Sequence, residues 1–408
     1  MTNQCKYIFD DKNLDINLGK KVKIDFPIFK NSDAVYFDSS ATTQKPQCVI
    51  DTILSYYTKY CANVGRGSYS WANKAGNEVE KARQKVASFI GVNPDEVFFT
   101  SGATDASNLI SYGYGLKNLH SGDEIMYCQD DHKSTYKPWE NIIKILTDYG
   151  NKKITVKNIL IDAEGDYKED DLIEKITENT KIIVLTHIHN TYGLEMDIDK
   201  IVPRIREKNP CTKVVLDCSQ SVGHIPVNLQ KLDVDFAFFS GHKMFADAGI
   251  GVCYIKKSAL SEMQEFKIGG GNKLFETGTQ NISGILSLGS AVGYINSIGI
   301  DIIESYVRYI TRYLYSKLKV IPQIEFSKGI DRCSCPLGFG IISFSIKGMQ
   351  SCDLGEVFND YNIFVRTGDF CRITKDEDLI RVSLHIYNTT SDIDKFVKVL
   401  RYIISEGE

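Results

Sequence analysis

The sequence has little that would tie it to a membrane, to nucleic acid or to the outside of a cell. No uninterrupted apolar stretch approaches the roughly 20 residues that cross a bilayer. The opening residues, "MTNQCKYIFDDKNLDINLGKK", contain acids and no apolar core, so neither a secretory signal nor a typical transit peptide is expected. The formal net charge of −4 supplies no electrostatic pull toward nucleic acid or an acidic membrane surface. Basic–aromatic patches are absent apart from the lysines and tyrosines of 301–319, which read as the solvated face of a helix. The eleven cysteines are odd in number and follow no framework of spacings. They are therefore expected to be reduced thiols in the cytoplasm, most of them small core residues. "HIH" (187–189) and "CSC" (333–335) have no second pair at structural-zinc spacing, so no metal is expected. The first reads as part of a strand whose successive residues face opposite sides, the second as a turn. No internal repeat and no low-complexity tract is present.

What remains is ordinary globular material: 408 residues, 43% hydrophobic and 25% charged. That length suggests two domains, or one large domain with a smaller companion. Apolar runs that read as buried strands alternate with helices. The runs are "EVFFT" (96–100), "EIMYC" (124–128), "KIIVLTHI" (181–188), "KVVLDCS" (213–219), "FAFFS" (236–240) and "GVCYI" (251–255). In "EVEKARQKVASFI", Val79, Ala82, Val86, Phe89 and Ile90 share one helical face. Such alternation predicts an α/β layer fold with a mostly parallel central sheet. After about residue 290 the texture changes to a long helix striped with Ile303, Val307, Ile310, Leu314 and Leu318. The strands "GFGIISFSI" and "LIRVSL" follow, then a last helix from Ser391. The expected organisation is an arm over 1–30, a large domain over 31–293 and a smaller α+β domain over 294–408, with "NSIGI" (296–300) as the hinge.

Three polar stretches stand where buried strands end. "TSGATDASN" (100–108) follows "EVFFT" and opens a helix, which suits an anion site built from free N–H groups and the helix dipole. It also suits an ordinary turn capped by Ser101 or Thr104. "VVLDCSQSVG" (214–223) ends an apolar run on Asp217, placed either to pair with a cationic ligand nitrogen or to cap the next helix. "FAFFSGHK" brings Ser240, His242 and Lys243 to a third strand end. A lysine there is costly unless paired, neutralised or chemically used. Together an anion site, an acid and an amine are the partners that a pyridoxal phosphate requires. On this reading Lys243 holds the cofactor aldehyde as a Schiff base.

The sequence resembles the class V aminotransferase superfamily, pyridoxal-phosphate enzymes of fold type I, and within it the cysteine desulfurases of the second group. The resemblance runs from about Val35 to the C-terminus. It is carried by "YFDSSATTQKP" (36–46), "VGRGSYSWA" (64–72), "FTSGATDASN" (99–108), "DDHKSTYKPW" (130–139), "LTHIHNTYG" (185–193), "LDCSQSVGHIPV" (216–227), "SGHKMF" (240–245), "FETGTQNISGIL" (275–286), "VRTGDFC" (365–371) and "RVSLHIYNT" (381–389). It implies pyridoxal 5'-phosphate as cofactor, bound to Lys243, with Asp217 at the pyridine nitrogen, Gln220 at the ring hydroxyl and His132 against the ring face. Ala103, Thr104, Ser240 and His242 would hold the phosphate, and Thr279 would reach the phosphate of a neighbouring subunit in a homodimer with shared sites. Arg381 would clamp the substrate carboxylate, with Arg366 nearby and Asn190 on the substrate or ring side. Cys371, in "RTGDFC", would take sulfur from L-cysteine as a persulfide and leave alanine, and an acceptor protein would collect the sulfur.

The chain also departs from the family pattern. Gly65 stands where a histidine is common, Asp369 and Phe370 precede the cysteine where histidines are common, and "ADAG" (246–249) replaces "GPTG". The segments 268–279 and 371–381 are short. The alternatives are a selenocysteine lyase, a C–S lyase, another class V enzyme acting on a different amino acid, and, outside catalysis, a sulfur-transfer scaffold.

Overall fold

The computed structural model describes residues 14–65, 67–162, 167–328, 338–368, 370 and 378–407. Cys371 and the "CSC" segment lie outside the described residues.

Seven strands form the central sheet: β1 (Val97–Thr100), β2 (Glu124–Tyr127), β3 (Thr155–Asn158), β4 (Thr180–Thr186), β5 (Lys213–Asp217), β6 (Phe236–Ser240) and β7 (Gly251–Ile255). Their spatial order is β1-β7-β6-β5-β4-β2-β3. Strand β7 runs antiparallel to both neighbours and every other pairing is parallel. The inner strands are apolar runs because both faces are covered. Met126, Ile183, Leu216, Ala237 and Phe239 pack into one core, while Ile125, Ile182, Val184, Val215, Phe236 and Phe238 pack into another. Strand β3, "TVKN", is exposed or half-buried throughout. As a polar edge strand it carries no apolar signal in the sequence.

Helices cover the sheet: α1 (Gln47–Lys59), α2 (Ser70–Phe89), α3 (Ala103–Ile110), α4 (Lys133–Asp148) and α5 (Ile282–Ile298). On α2 the expected stripe faces inward, with Val79, Ala82 and Val86 buried and Phe89 only partly so. Beyond α5 the chain turns through about 77° into α6 (Ile300–Leu318). The residue between them, Gly299, has φ +97°, a conformation that costs a side-chain-bearing residue about 1–2 kcal/mol. The stripe of α6, Ile303, Val307, Ile310, Leu314 and Leu318, is fully buried.

A second sheet contains β8 (Ile324–Phe326), β9 (Ile341–Ile346), β10 (Arg366–Thr367) and β11 (Ile380–Ser383), antiparallel in the order β8-β9-β11-β10. The last helix, α7, spans Thr390–Gly407. The early chain belongs partly to this region. Val35–Tyr36 pairs in parallel with Ile363–Phe364, Asp38 bridges to Ser383, and Lys23 Nζ lies 2.9 Å from Asp392. Strand β4 ends at Thr186, so the "HIH" histidines lie past the strand and are not part of it. Both are buried. His189 Nδ1 accepts the N–H groups of Thr191 and Tyr192, and its Nε2 lies 3.0 Å from the Asp130 carbonyl.

A buried ion pair fastens α2 to the edge of the sheet. Arg83 donates two parallel hydrogen bonds to Glu276, at 2.6 and 2.9 Å, and Glu276 also accepts the Phe99 N–H at 2.8 Å. Replacing one partner strands a desolvated charge. Arg83→Met is therefore expected to cost about 3–5 kcal/mol, read as a lower denaturation midpoint in urea.

Candidate active site

Three neighbouring strands deliver the polar residues. Thr186 at the end of β4 pairs in register with Asp217 at the end of β5. Ser240 ends β6, and a single 3₁₀ turn, Gly241–Lys243, carries His242 and Lys243 onward. The Asp217 carboxylate is held on both oxygens. Oδ2 accepts from Thr135 Oγ1 at 2.7 Å and Oδ1 from the Ser219 N–H at 2.8 Å. The side chain is thereby aimed rather than left to choose a rotamer.

The anion site forms at the start of α3. Neither Ser101 nor Thr104 caps that helix. Gly102 occupies the cap position, and the first helical N–H, that of Ala103, donates to Ser240 Oγ at 2.8 Å. A side chain at Gly251 would meet Gly102 Cα at 2.5 Å. Only glycine there lets β7 press the turn into place. Thr104 is exposed on the first turn and lines the same cleft.

His132 caps α4: its Nδ1 accepts the Ser134 N–H at 3.2 Å and lies 2.7 Å from Ser134 Oγ. The neutral ring then carries its proton on Nε2. Burial, reinforced by the Lys243 charge, pushes its pKa down to about 4. His242 is lowered to about 4 for the same two reasons, with Lys45 adding to them. Neutral imidazoles add no charge to a cleft already lined by Lys243, Arg366 and Arg381.

The opposite wall comes from the second sheet. Arg381 on β11 is buried; it donates to the Asn190 carbonyl at 2.9 Å and to Asp38 Oδ1 at 3.0 Å. Arg366 on β10 approaches Asp38 Oδ2 at 3.2 Å. Asn190 Nδ2 donates to the Phe370 carbonyl at 3.1 Å, and Gln220 Nε2 to that of Ser40 at 2.9 Å.

A cleft of about 270 Å³ joins these groups. Ala103, Thr104, His132, Asn190, Asp217, Gln220, Ser240, His242, Lys243, Arg366 and Arg381 all line it. Thr279 is exposed and is not among the lining residues. The roles of these side chains belong to the proposal below. Sequence reasoning did not single out Asp38, Ser40, Thr135, Ser219 or Lys45. Asp38, Ser40 and Lys45 sit in "YFDSSATTQKP", and the polar run directly after the apolar run Val35–Phe37 was the available signal.

A model of the aminotransferase class-V family matches residues 35–396. The chain belongs to this family. A cysteine desulfurase of Wigglesworthia glossinidia brevipalpis is 33% identical over 93% of this chain and 96% of its own length. A probable cysteine desulfurase of Synechocystis sp. is 31% identical over 95% and 96%. The apo structure of the cysteine desulfurase from Thermococcus onnurineus NA1 matches with a TM-score of 0.87 at 27% identity, covering 96% of this chain and 100% of that one. The expected α/β fold-type I class is thus met, and the class V chain is an enzyme that uses pyridoxal 5'-phosphate. The residues present fit that group. The cleft offers an amine, a fixed carboxylate, a helix N-terminus and hydroxyls. Ser219 Oγ at its edge is buried without a hydrogen-bond partner among the described residues.

The lowered histidine pKa has a stability consequence. The unfolded chain holds His132 near 6.5 and so binds its proton first as pH falls. The contribution is whole above about pH 6.5 and is lost as pH falls toward about 4. In the cofactor-free protein, His132→Gln should flatten the fall of the denaturation midpoint across that window.

Proposed function

We propose that this class V enzyme is a cysteine desulfurase of the second group, converting L-cysteine to L-alanine and passing the sulfur to Cys371 as a persulfide. The observation that carries the reading is the meeting of Lys243 and Asp217, from one sheet, with Arg381, from the other, around a single cleft. A carboxylate bound at Arg381 places an amino acid between the two sheets, with its Cα toward the lysine. Guanidinium geometry suits a bidentate grip on that carboxylate.

Each group then has a task. When bound, pyridoxal 5'-phosphate supplies a ring that stabilises negative charge at the substrate Cα. Asp217 is fixed by Thr135 and Ser219 to hold positive charge at the pyridine nitrogen. Ala103, Thr104, Ser240 and His242 surround the phosphate end, Gln220 serves the ring hydroxyl and His132 packs on the ring face. Asn190, already bonded to Arg381 through its carbonyl, orients the substrate side. Lys243 Nζ removes the Cα proton and returns it. The Cys371 thiolate attacks the substrate sulfur. An S–S bond forms as the Cβ–S bond breaks, and the electron pair left on Cβ takes a proton to give alanine. An external thiol, from a reductant or an acceptor protein, then reduces the persulfide.

The reading extends to a homodimer with shared sites, in which Thr279 serves the neighbouring subunit. Its exposed position outside the chain's own cleft supports this. It includes a division of the chain into an arm over 1–30 and domains over 31–293 and 294–408. It also includes a cytoplasmic setting, supported by the unpaired, buried thiols of Cys128, Cys218 and Cys253.

Purified holoenzyme given L-cysteine and a reductant should yield alanine and sulfide in equal amounts. Pyruvate and ammonia in their place would identify a β-eliminating lyase and overturn the reading. Lys243→Ala is expected to lower turnover by about 10²–10⁴-fold. Cys371→Ser should abolish sulfide release while leaving the visible absorbance of the cofactor intact.

A further inference from the structure

We infer that Asp38 is a specificity-determining residue that fixes the charge of the substrate mouth and so selects amino acids carrying a single carboxylate. The inference rests on the reading of Arg381 as the carboxylate clamp.

The geometry is a triad in which one carboxylate is shared by two guanidinium groups. Asp38 Oδ1 lies 3.0 Å from Arg381 and Oδ2 lies 3.2 Å from Arg366. Both arginines line the cleft. The backbone that carries the aspartate is fixed to β11, and its carboxylate is held from both sides by the two arginines. Ser383 donates its N–H to the Phe37 carbonyl at 2.7 Å, the Ser39 N–H reaches the Ser383 carbonyl at 3.4 Å, and residues 38 and 383 form a parallel bridge. The Phe370 ring, with its centroid 5.1 Å from the Arg381 guanidinium carbon, closes an apolar side of the same group.

Charge arithmetic follows. The other charged or titratable lining groups, Lys243, Asp217, His132 and His242, serve the cofactor on this reading. Among the described residues the substrate end therefore holds two arginines and one aspartate, a net charge of +1. One α-carboxylate neutralises it. A second carboxylate, on the substrate side chain, would reach an arginine pair whose charge Asp38, behind it, has already half cancelled, and would feel the like charge of Asp38 across that pair. Cysteine, whose thiol is mostly protonated at neutral pH, brings a single anionic group. An aspartate that merely braced Arg381 would affect all amino acids alike, whereas a charge-setting aspartate changes the ratio between them.

The test compares L-alanine and L-aspartate as ligands of the holoenzyme, by the shift in cofactor absorbance and by calorimetry, without turnover. For Asp38→Asn, the ratio of the L-aspartate Kd to the L-alanine Kd should fall about tenfold, since Arg366 is half exposed and solvent screens part of the interaction. Asp38→Glu keeps the charge and should keep the wild-type ratio. An unchanged ratio in Asp38→Asn, or equal weakening of both ligands, overturns the inference. Should Asp38→Asn fail to fold or to take up cofactor, Arg366→Gln decides. Removing one positive charge should raise the ratio by a similar factor, and an unchanged ratio overturns the inference. Failure of the desulfurase reading appears separately, as wild-type enzyme that releases no sulfide from L-cysteine.

Discussion

Burial of the central sheet on both faces dictates where chemistry can occur in this chain. Residues in the middle of β4, β5 and β6 point alternately into two apolar cores, so Ile182–Leu185, Val214–Leu216 and Phe236–Phe239 are all apolar. Polar side chains are confined to the strand ends, and at the carboxyl edge Thr186, Asp217 and Ser240 emerge from neighbouring strands. There the N-terminus of α3 also opens, its first N–H held by Ser240. The sheet thus settles the relative positions of Asp217, the α3 N-terminus and Lys243 before any side chain chooses a rotamer. Second contacts then remove the remaining freedom: Thr135 and Ser219 on Asp217, and Ala103 on Ser240.

A cleft with walls from two sheets needs something to hold those walls in register. The segment 38–45 does this. At one end Asp38 engages Arg381 and Arg366 of the second sheet. At the other, the His242 carbonyl accepts from Thr43 N–H at 2.9 Å and Thr43 Oγ1 at 3.0 Å, with Thr42 Oγ1 at 3.2 Å and Lys45 Nζ at 3.4 Å. The Phe245 N–H returns to Thr43 Oγ1 at 2.8 Å. The turn that carries Lys243 is therefore clamped on both sides by one loop. Misplacing a reacting group by a fraction of an ångström is costly in rate, so on the proposed roles a short connection between Arg381 and Lys243 is worth more here than a long one.

How much of this was legible depended on the kind of signal. The inner strands and the α2 and α6 stripes were readable because burial imposes a hydrophobic period on sequence. Strand β3 was not, because an edge strand with polar residues lacks that period. Lys243 and Asp217 could be found because a charged residue ending an apolar run is anomalous. The cap of α3 was misjudged: local sequence offers Ser101 and Thr104, but the first N–H is satisfied by Ser240, 137 residues away. Asp38 escaped for the same reason. Its partners lie 328 and 343 residues along the chain, and no local pattern announces a contact at that range. The "HIH" reading failed because the register was extended two residues beyond the true end of β4.

The site also shows how a half-buried amine can be housed without collapse of the charges around it. Burial, with a smaller push from the Lys243 charge, keeps the nearby imidazoles neutral; His132, His224 and His242 all fall to about 4. Lys45, largely buried beside the same turn, is lowered to about 8, mainly by burial and against the pull of Asp247. The negative charges left in place are those with fixed partners, Asp217 on one wall and Asp38 on the other. Positive charge therefore concentrates at two points, the lysine turn and the arginine pair. On the reading proposed above, a substrate negative at one end and reactive at the next carbon would be drawn into one orientation by that separation.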